Sequence, residues 1–165
     1  MKSLYLIRHA KSSRESPYTG DFERPLNNQG IKDAPLMATM LEKKCVHPDF
    51  VISSPAIRAI TTAKLFCDIL SYPHVRIQQR SEIYNGRASQ LLNIVQQIPD
   101  NCKTAMLFGH NPTITEFAIL LIGKHIESMP TCGIVQINFD FTLWQDVAPD
   151  KGKKVWYEYP RKSLE

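Results

Sequence analysis

Two arginines and two histidines follow short apolar stretches at three separate places in the chain. Arg8 and His9 come directly after the apolar residues 4–7, Arg58 lies a few residues beyond a second stretch, and His110 follows a third. Burying such groups without partners is unfavourable, so each is expected to meet water or an anion. Any one of them alone would be typical of a strand that ends at the surface. Their recurrence favours an anion site, and the planar fork of arginine suits the oxygens of phosphate.

The apolar stretches are typical of short buried strands that alternate with helices. Strands are predicted at residues 4–7, 50–53, 75–79 and 104–108, where the apolar runs are too short for independent helices. A first helix is predicted from Asn27 or Asn28 to about Lys44, with an apolar face of Ile31, Met37, Ala38 and Leu41. Further helices are predicted from Ser54-Pro55 to about Leu70, from about Ser89 to Pro99, and after Pro112, capped by Asn111 or Thr113.

The end of the chain alternates apolar and polar residues, which is the period of a strand with one wet face. Residues 135–141 and 155–159 therefore predict a hairpin at a sheet edge. Strand–helix units followed by such a hairpin predict an α/β protein, a three-layer α/β/α fold with a mostly parallel sheet and an antiparallel edge. Parallel strands end along one rim, so the two arginines, Arg8 and Arg58, and the two histidines are expected to converge there.

Residues 10–28 predict a long polar loop over the end of the first strand. Loops of this length inside compact domains are usually functional. The loop carries several groups that can donate hydrogen bonds to an anion: Lys11, Ser12, Ser13, Arg14 and Arg24. For any single one of them, a solvated surface position is the expected state.

Composition places the chain among globular proteins, with 165 residues of which 43% are hydrophobic and 22% charged. One domain is expected over residues 1–163, with 164–165 set aside because they resemble a cloning scar. The net charge of +4 suits a phosphorylated partner, but the cations are scattered, so nucleic-acid binding is not expected.

Four singly spread cysteines favour free thiols over a metal site or disulfides. No apolar run reaches membrane-spanning length and no signal peptide is evident, so we expect a cytoplasmic protein without membrane contact.

Three motifs together resemble the histidine phosphatase superfamily, which has the phosphoglycerate-mutase-like fold. They are Leu6-Ile7-Arg8-His9-Ala10, Ser53-Ser54-Pro55-Ala56-Ile57-Arg58-Ala59 and Gly109-His110-Asn111. The chain is most similar to the small SixA-like branch of phosphohistidine phosphatases. The resemblance runs from the first strand to the last helix, and it is more specific for the superfamily than for the substrate.

The resemblance implies a role for each of these residues. His9 would be the nucleophile that accepts a phosphoryl group on a ring nitrogen, while Arg8, Arg58 and His110 would hold the phosphoryl oxygens. Water would then hydrolyse phospho-His9, and neither a metal ion nor a cofactor is implied. Further candidates for phosphate binding are Arg24, which matches a position where relatives carry an arginine, Asn111 and Ser12.

Glu82, after the third predicted strand, is the candidate general acid by its position. Family members that act on phosphate esters use a carboxylic acid to protonate the departing oxygen. An exposed glutamate that orients an arginine is an equal alternative for this residue. Phosphohistidine releases an imidazole whose pKa is about 6.5, so an enzyme for that substrate tolerates a weak acid.

The implied substrate is phosphohistidine on a partner protein. The short chain leaves little room for the insertions with which larger relatives enclose sugar phosphates. One alternative is a phosphatase for a small phosphate monoester that uses Glu82 as the acid. A second is a non-catalytic module that binds phosphate. The sequence makes no prediction of the oligomeric state.

Overall fold

The structure is a computed structural model that describes residues 1–14 and 19–161 of the chain. Residues 15–18 of the predicted loop, and residues 162–165 with the presumed scar, lie outside the described residues. Six strands form one sheet: β1 Lys2–Arg8, β2 Phe50–Ser53, β3 Gln78–Gln79, β4 Thr104–Gly109, β5 Ile134–Phe139 and β6 Lys153–Glu158. The α-helices are α1 Asn28–Lys43, α2 Ile57–Leu70, α3 Glu82–Asn85, α4 Ala88–Gln96 and α5 Thr113–Ile122.

The strand order in the sheet is β3-β2-β4-β1-β5-β6. The first four of these strands pair in parallel, whereas β5 runs antiparallel to β1 and β6 runs antiparallel to β5. The predicted sheet, mostly parallel with an antiparallel edge, is confirmed. Parallel pairing sets the ends of β1, β2 and β4 side by side, and those ends carry the candidate residues.

Two apolar cores lie on opposite faces of the sheet, which makes the fold three-layered as predicted. One core joins the sheet to α4 and α5 through residues such as Leu6, Leu107 and Phe117. The other joins it to α1 and α2 through residues such as Met37 and Phe66. Because β1 and β4 are covered on both faces, their side chains form continuous apolar runs instead of alternating.

Helix α1 begins where predicted, because the side chain of Asn27 accepts a hydrogen bond from the backbone N–H of Gly30. Its predicted apolar face is wrong at Ile31, which is 51% exposed. Gly30 faces inward instead and packs so closely on the chain after β1 that a Cβ atom would overlap the carbonyl oxygen of Lys11.

Helix α2 begins at Ile57 and not at Ser54-Pro55. The Ser54 hydroxyl accepts a hydrogen bond from the backbone N–H of Ala56, and Ala56 itself has an extended conformation. These residues therefore form a turn before the helix. Likewise α5 begins without a side-chain cap, so neither Asn111 nor Thr113 has the predicted capping role.

The predicted strand at residues 75–79 is mostly wrong. Only Gln78 and Gln79 pair with β2, and His74–Arg76 is a 3-10 turn in which Val75 is 91% exposed. Strand β3 lies at the edge of the sheet that the described residues form, so a single neighbouring strand, β2, holds it extended. The short helix α3 that follows was not predicted. No helix among the described residues combines the length and apolar character needed to cross a membrane.

Candidate active site

The ends of β1 and β4 bring the two histidines together. Arg8 pairs with Gly109 in the parallel register, and the backbone N–H of His9 donates to the Gly109 carbonyl at 3.0 Å. Each strand then places a histidine one residue beyond its end. The imidazole rings of His9 and His110 have centroids 5.2 Å apart.

His9 is buried and neutral. Its Nδ1 lies 2.7 Å from the carbonyl oxygen of Ala10, an acceptor, so Nδ1 carries the proton and Nε2 keeps its lone pair. Burial is the main cause that lowers the pKa of His9 to about 3, and the nearby His110, Arg58 and Arg8 lower it further. At neutral pH the Nε2 atom is therefore an unprotonated nucleophile.

His110 is held by the turn that precedes α2. Its Nε2 lies 2.8 Å from the Ser54 hydroxyl, while its Nδ1 is buried and has no partner among the described residues. Burial, followed by the charge of Arg58, lowers the pKa of His110 to about 4. When the Ser54 hydroxyl donates to Nε2, Nδ1 carries the proton and can donate to an anion.

Arg8 and Arg58 are each held through terminal nitrogens of the guanidinium group. Arg8 donates from Nη1 to the carbonyl oxygen of Met129 at 2.9 Å. Arg58 donates from Nη1 to the backbone oxygen of Asp21 at 2.7 Å and from Nη2 to its carboxylate at 3.1 Å. Burial, followed by the charge of Arg58, lowers the pKa of Arg8. Two arginines so close together favour a negatively charged ligand between them.

Three buried side-chain nitrogens lack a hydrogen-bond partner within residues 1–14 and 19–161. They are Nε of Arg8, Nε of Arg58 and Nδ1 of His110. A buried donor without a partner is destabilising by about 1–3 kcal/mol. All three belong to residues that surround His9, and an oxyanion with several acceptor oxygens would satisfy them together.

The part of the sequence that carries these site residues matches a protein-family model. Residues 4–116 match the model of the histidine phosphatase superfamily, branch 1. The chain belongs to the histidine phosphatase superfamily. This membership supports a phosphatase that acts through a histidine, and the six-stranded fold is the phosphoglycerate-mutase-like fold of the superfamily.

Relatives and solved structures agree with this assignment. The uncharacterized protein Rv1276c of Mycobacterium tuberculosis is 28% identical, with 94% of this chain and 100% of that protein covered. A protein assigned as the phosphohistidine phosphatase SixA of Agrobacterium tumefaciens is 25% identical, with a TM-score of 0.80 over 97% of this chain and 99% of that one. A protein histidine phosphatase SixA in complex with tungstate has the same fold, at 21% identity and a TM-score of 0.83 over 95% and 96% of the two chains.

Other residues predicted to bind phosphate make hydrogen bonds within the protein itself. Arg24 donates to the carboxylate of Asp21 at 3.1 Å and to the carbonyl oxygen of Ser13 at 3.0 Å. Ser12 is half-buried and forms an isolated bridge with Leu26. Both residues brace the loop after β1, and Arg24 reaches the site through Asp21.

Asn111 holds a neighbouring segment in place. Its side-chain N–H groups donate to the Ser128 hydroxyl at 3.0 Å and to the Met129 carbonyl at 2.9 Å. The same Met129 carbonyl accepts the hydrogen bond from Arg8. Asn111 therefore supports Arg8 through the backbone of Met129, and its own donors are already used.

Glu82 lies in the first turn of α3, where Arg80 pairs with its carboxylate at 3.0 Å. The hydrogen bond from Arg80 is the main cause that lowers the pKa of Glu82. An ionised carboxylate cannot donate a proton, so this ion pair disfavours Glu82 as a general acid in the resting protein. The expectation that Glu82 pairs with an arginine matches the geometry.

Two residues at the site were missed by sequence analysis. Asp21 binds Arg58, and the hydroxyl of Tyr84 donates to the Asp21 carboxylate at 2.7 Å. The ring of Tyr84 lies edge-on to that of His110, with centroids 5.5 Å apart. A polar loop carries no period, so nothing in the sequence pattern links Asp21 to an arginine 37 positions later.

Proposed function

We propose that this chain is a phosphatase that forms a phosphohistidine intermediate on His9 and needs no metal ion. The observation that carries the proposal is a buried, neutral imidazole beside two guanidinium groups and a second imidazole. A protein that only bound phosphate would gain from a protonated His9. A nucleophile must instead be unprotonated, and that is the form in which burial keeps His9.

The proposed reaction has two displacement steps. Nε2 of His9 attacks the phosphorus atom, an N–P bond forms, and the bond to the leaving group breaks with its electron pair going to the leaving atom. Water then attacks phospho-His9, the N–P electron pair returns to Nε2, and orthophosphate leaves while one water proton goes to the phosphate or to solvent. In both steps the unpartnered donors of Arg8, Arg58 and His110 would hold the phosphoryl oxygens, over which charge spreads.

The proposed substrate is phosphohistidine on a partner protein. A phosphohistidine whose second ring nitrogen is protonated releases neutral imidazole, so it needs no strong general acid. The Arg80–Glu82 ion pair supports this choice, because it disfavours the carboxyl donor that an alkoxide leaving group would require. The likeness to the SixA protein of Agrobacterium tumefaciens, with near-complete coverage of both chains, also supports it.

A substrate panel with a quench experiment tests the proposal. The purified protein is given a histidine-phosphorylated protein, an aryl phosphate and a sugar phosphate, each with labelled phosphorus. Mixtures are quenched in alkali, in which the N–P bond survives, and the enzyme is examined for base-stable, acid-labile label.

We expect labelled enzyme, and kcat/KM for the phosphohistidine protein at least about 100-fold above that for the sugar phosphate. A higher kcat/KM for the sugar phosphate would indicate a small-molecule phosphatase instead. Phosphate binding with neither turnover nor label would leave a binding module and overturn the proposal.

A further inference from the structure

Asp21 accepts hydrogen bonds from three residues at or beside the candidate phosphate site, and it has no role in the proposed reaction. Its carboxylate receives hydrogen bonds from Arg58 at 3.1 Å, from Tyr84 at 2.7 Å and from Arg24 at 3.1 Å. Its backbone oxygen receives a fourth, from Nη1 of Arg58 at 2.7 Å. One loop residue thus connects α2, α3 and the arginine of its own loop.

The contacts with Arg58 decide which edge of the guanidinium group is left for a ligand. A guanidinium group carries five N–H donors in a rigid planar fork. Asp21 occupies the end formed by Nη1 and Nη2, and Nε on the other edge is buried and unpartnered. The geometry of Arg58 therefore separates a fixed end from a free edge.

The loop that carries Asp21 is itself tied down. The backbone oxygen of Phe22 accepts from the N–H of Ile57, the first residue of α2, at 3.0 Å. The rings of Phe22 and Tyr84 pack edge to face, with centroids 5.1 Å apart. The position of the Asp21 carboxylate relative to α2 is thus set by a backbone contact and an aromatic contact of the next residue, Phe22.

An ordinary surface ion pair would not account for these contacts. Exposed ion pairs contribute little to stability, so loss of one partner has a small effect. The Arg58 side chain is only 7% exposed, so without Asp21 the end of a buried guanidinium group would lose its charged partner. Arg58 would then be free to turn away from the phosphate, or to bind it with the wrong edge.

We propose that Asp21 is a positioning residue, which holds the end of Arg58 so that its Nε edge faces the transferred phosphoryl group. The carboxylate does not touch the phosphoryl group, and Tyr84 in turn orients the carboxylate. This inference rests on the proposed function for its kinetic consequences, but its anion-binding consequences can be measured without any turnover.

A role of Asp21 through its charge and a role in positioning Arg58 predict opposite changes in anion affinity when Asp21 is replaced. Asp21 is the acidic group whose charge opposes the cations around His110. If it acted only through charge, its removal would make the site more positive and strengthen anion binding. If it positions Arg58, its removal weakens anion binding in spite of the more positive site.

The experiment titrates tungstate into the wild-type protein and into the variants Asp21→Ala, Asp21→Asn and Tyr84→Phe by calorimetry. Glu23→Gln is the matched control, because it removes a negative charge from an exposed residue of the same loop. Circular dichroism and thermal unfolding check that each variant is folded. If Asp21→Ala does not fold, Asp21→Asn, which keeps one acceptor oxygen, carries the test.

We expect Asp21→Ala to weaken tungstate binding at least about tenfold and to lower kcat by on the order of 10²-fold, the usual effect of a misplacement of about 1 Å. Asp21→Asn recovers part of both losses, Tyr84→Phe shows a smaller loss, and Glu23→Gln resembles the wild type. Equal or tighter binding by Asp21→Ala would overturn the inference. Failure of the wild-type protein to bind tungstate would instead count against the proposed function.

Discussion

His9 and His110 lie 101 positions apart in the chain, yet their imidazole rings approach to 5.2 Å between centroids. The contact follows from one register, in which Arg8 pairs with Gly109 across two parallel strands. Burial, with the charges of Arg58 and Arg8, keeps His9 unprotonated at neutral pH. The sheet therefore builds both a nucleophile and its electrostatic surroundings from two adjacent strand ends.

Replacement of His9 tests the nucleophile. We expect His9→Ala to lower phosphatase activity by on the order of 10⁴-fold or more and to abolish labelled phosphoenzyme, because Nε2 of the other neutral imidazole, His110, is engaged by the Ser54 hydroxyl. Steady-state turnover and the alkaline quench measure the two effects. His47→Ala, at an exposed loop histidine, is the control and should match the wild type. Full turnover by the His9 variant would refute the assignment.

Arg58→Lys tests whether the fork of the guanidinium group matters beyond its charge. Lysine keeps the positive charge but has no Nε donor and cannot bond both Asp21 and an oxyanion in one plane. We expect kcat/KM to fall by on the order of 10²-fold, the range seen when one oxyanion donor is lost. Arg76→Lys, on the exposed 3-10 turn, provides the same exchange away from the site. Retention of activity within a factor of about two would show that charge alone suffices.

The part of the site that strand ends position is predictable from the sequence. Apolar runs located β1, β2 and β4, and parallel pairing then required His9, Arg58 and His110 to approach one another. The fold class follows from the same alternation of strand and helix. These features depend on periodic burial, which leaves a pattern in the sequence.

The remaining parts of the site depend on irregular backbone, which leaves no such pattern. Ser54 forms a turn before α2 and contacts His110, whereas the sequence suggested a helix cap. Asp21 reaches Arg58 from a loop whose path no local propensity specifies. Glu82 was placed correctly after β3, but its ion pair with Arg80 depends on the unpredicted helix α3.

Glu82→Gln separates the two kinds of phosphatase. We expect turnover of phosphohistidine to change less than about threefold, while any slow hydrolysis of an alkyl phosphate falls by about 100-fold, the range for loss of a general acid. The ester reaction would depend on the small protonated fraction of Glu82 that Arg80 leaves. Parallel assays on the two substrates measure the difference.

Arg80→Gln is the matched variant, since it removes the hydrogen bond that lowers the pKa of Glu82. Hydrolysis of the alkyl phosphate should rise in this variant, because more of the carboxyl group is protonated. Equal losses on both substrates in Glu82→Gln would contradict the prediction that hydrolysis of the ester depends on this carboxyl group and hydrolysis of phosphohistidine does not.

Gly30→Ala tests the packing that fixes the loop after β1. A Cβ atom on Gly30 would overlap the carbonyl oxygen of Lys11, which is backbone and cannot rotate away. We expect a loss of about 1–3 kcal/mol in the free energy of unfolding, typical of overpacking, and weaker tungstate binding as the loop shifts. Urea unfolding and calorimetry measure the two effects. Asn28→Ala, at the exposed first residue of α1, should leave both unchanged or slightly raise stability.

The two buried histidines predict a specific loss of stability in acid. In the unfolded chain both imidazoles bind protons below a pH of about 6.5, whereas in the folded protein the pKa of His9 is about 3 and that of His110 about 4. Between these limits the unfolded state holds more protons, so the free energy of unfolding falls as the pH falls. From pH 7 to pH 5 the two groups together account for a loss of up to about 4 kcal/mol.

Urea unfolding in phosphate-free buffers between pH 7 and pH 5 measures this loss. The double variant His9→Asn, His110→Asn cannot take up these protons, so its stability should change much less over the same range. Phosphate or tungstate should raise wild-type stability, because an anion binds only the folded protein. Equal pH dependence in the wild type and the double variant would mean that the imidazoles ionise freely in the folded protein. His9 would then be largely unprotonated only above its ordinary pKa, and burial would not be what prepares it as a nucleophile.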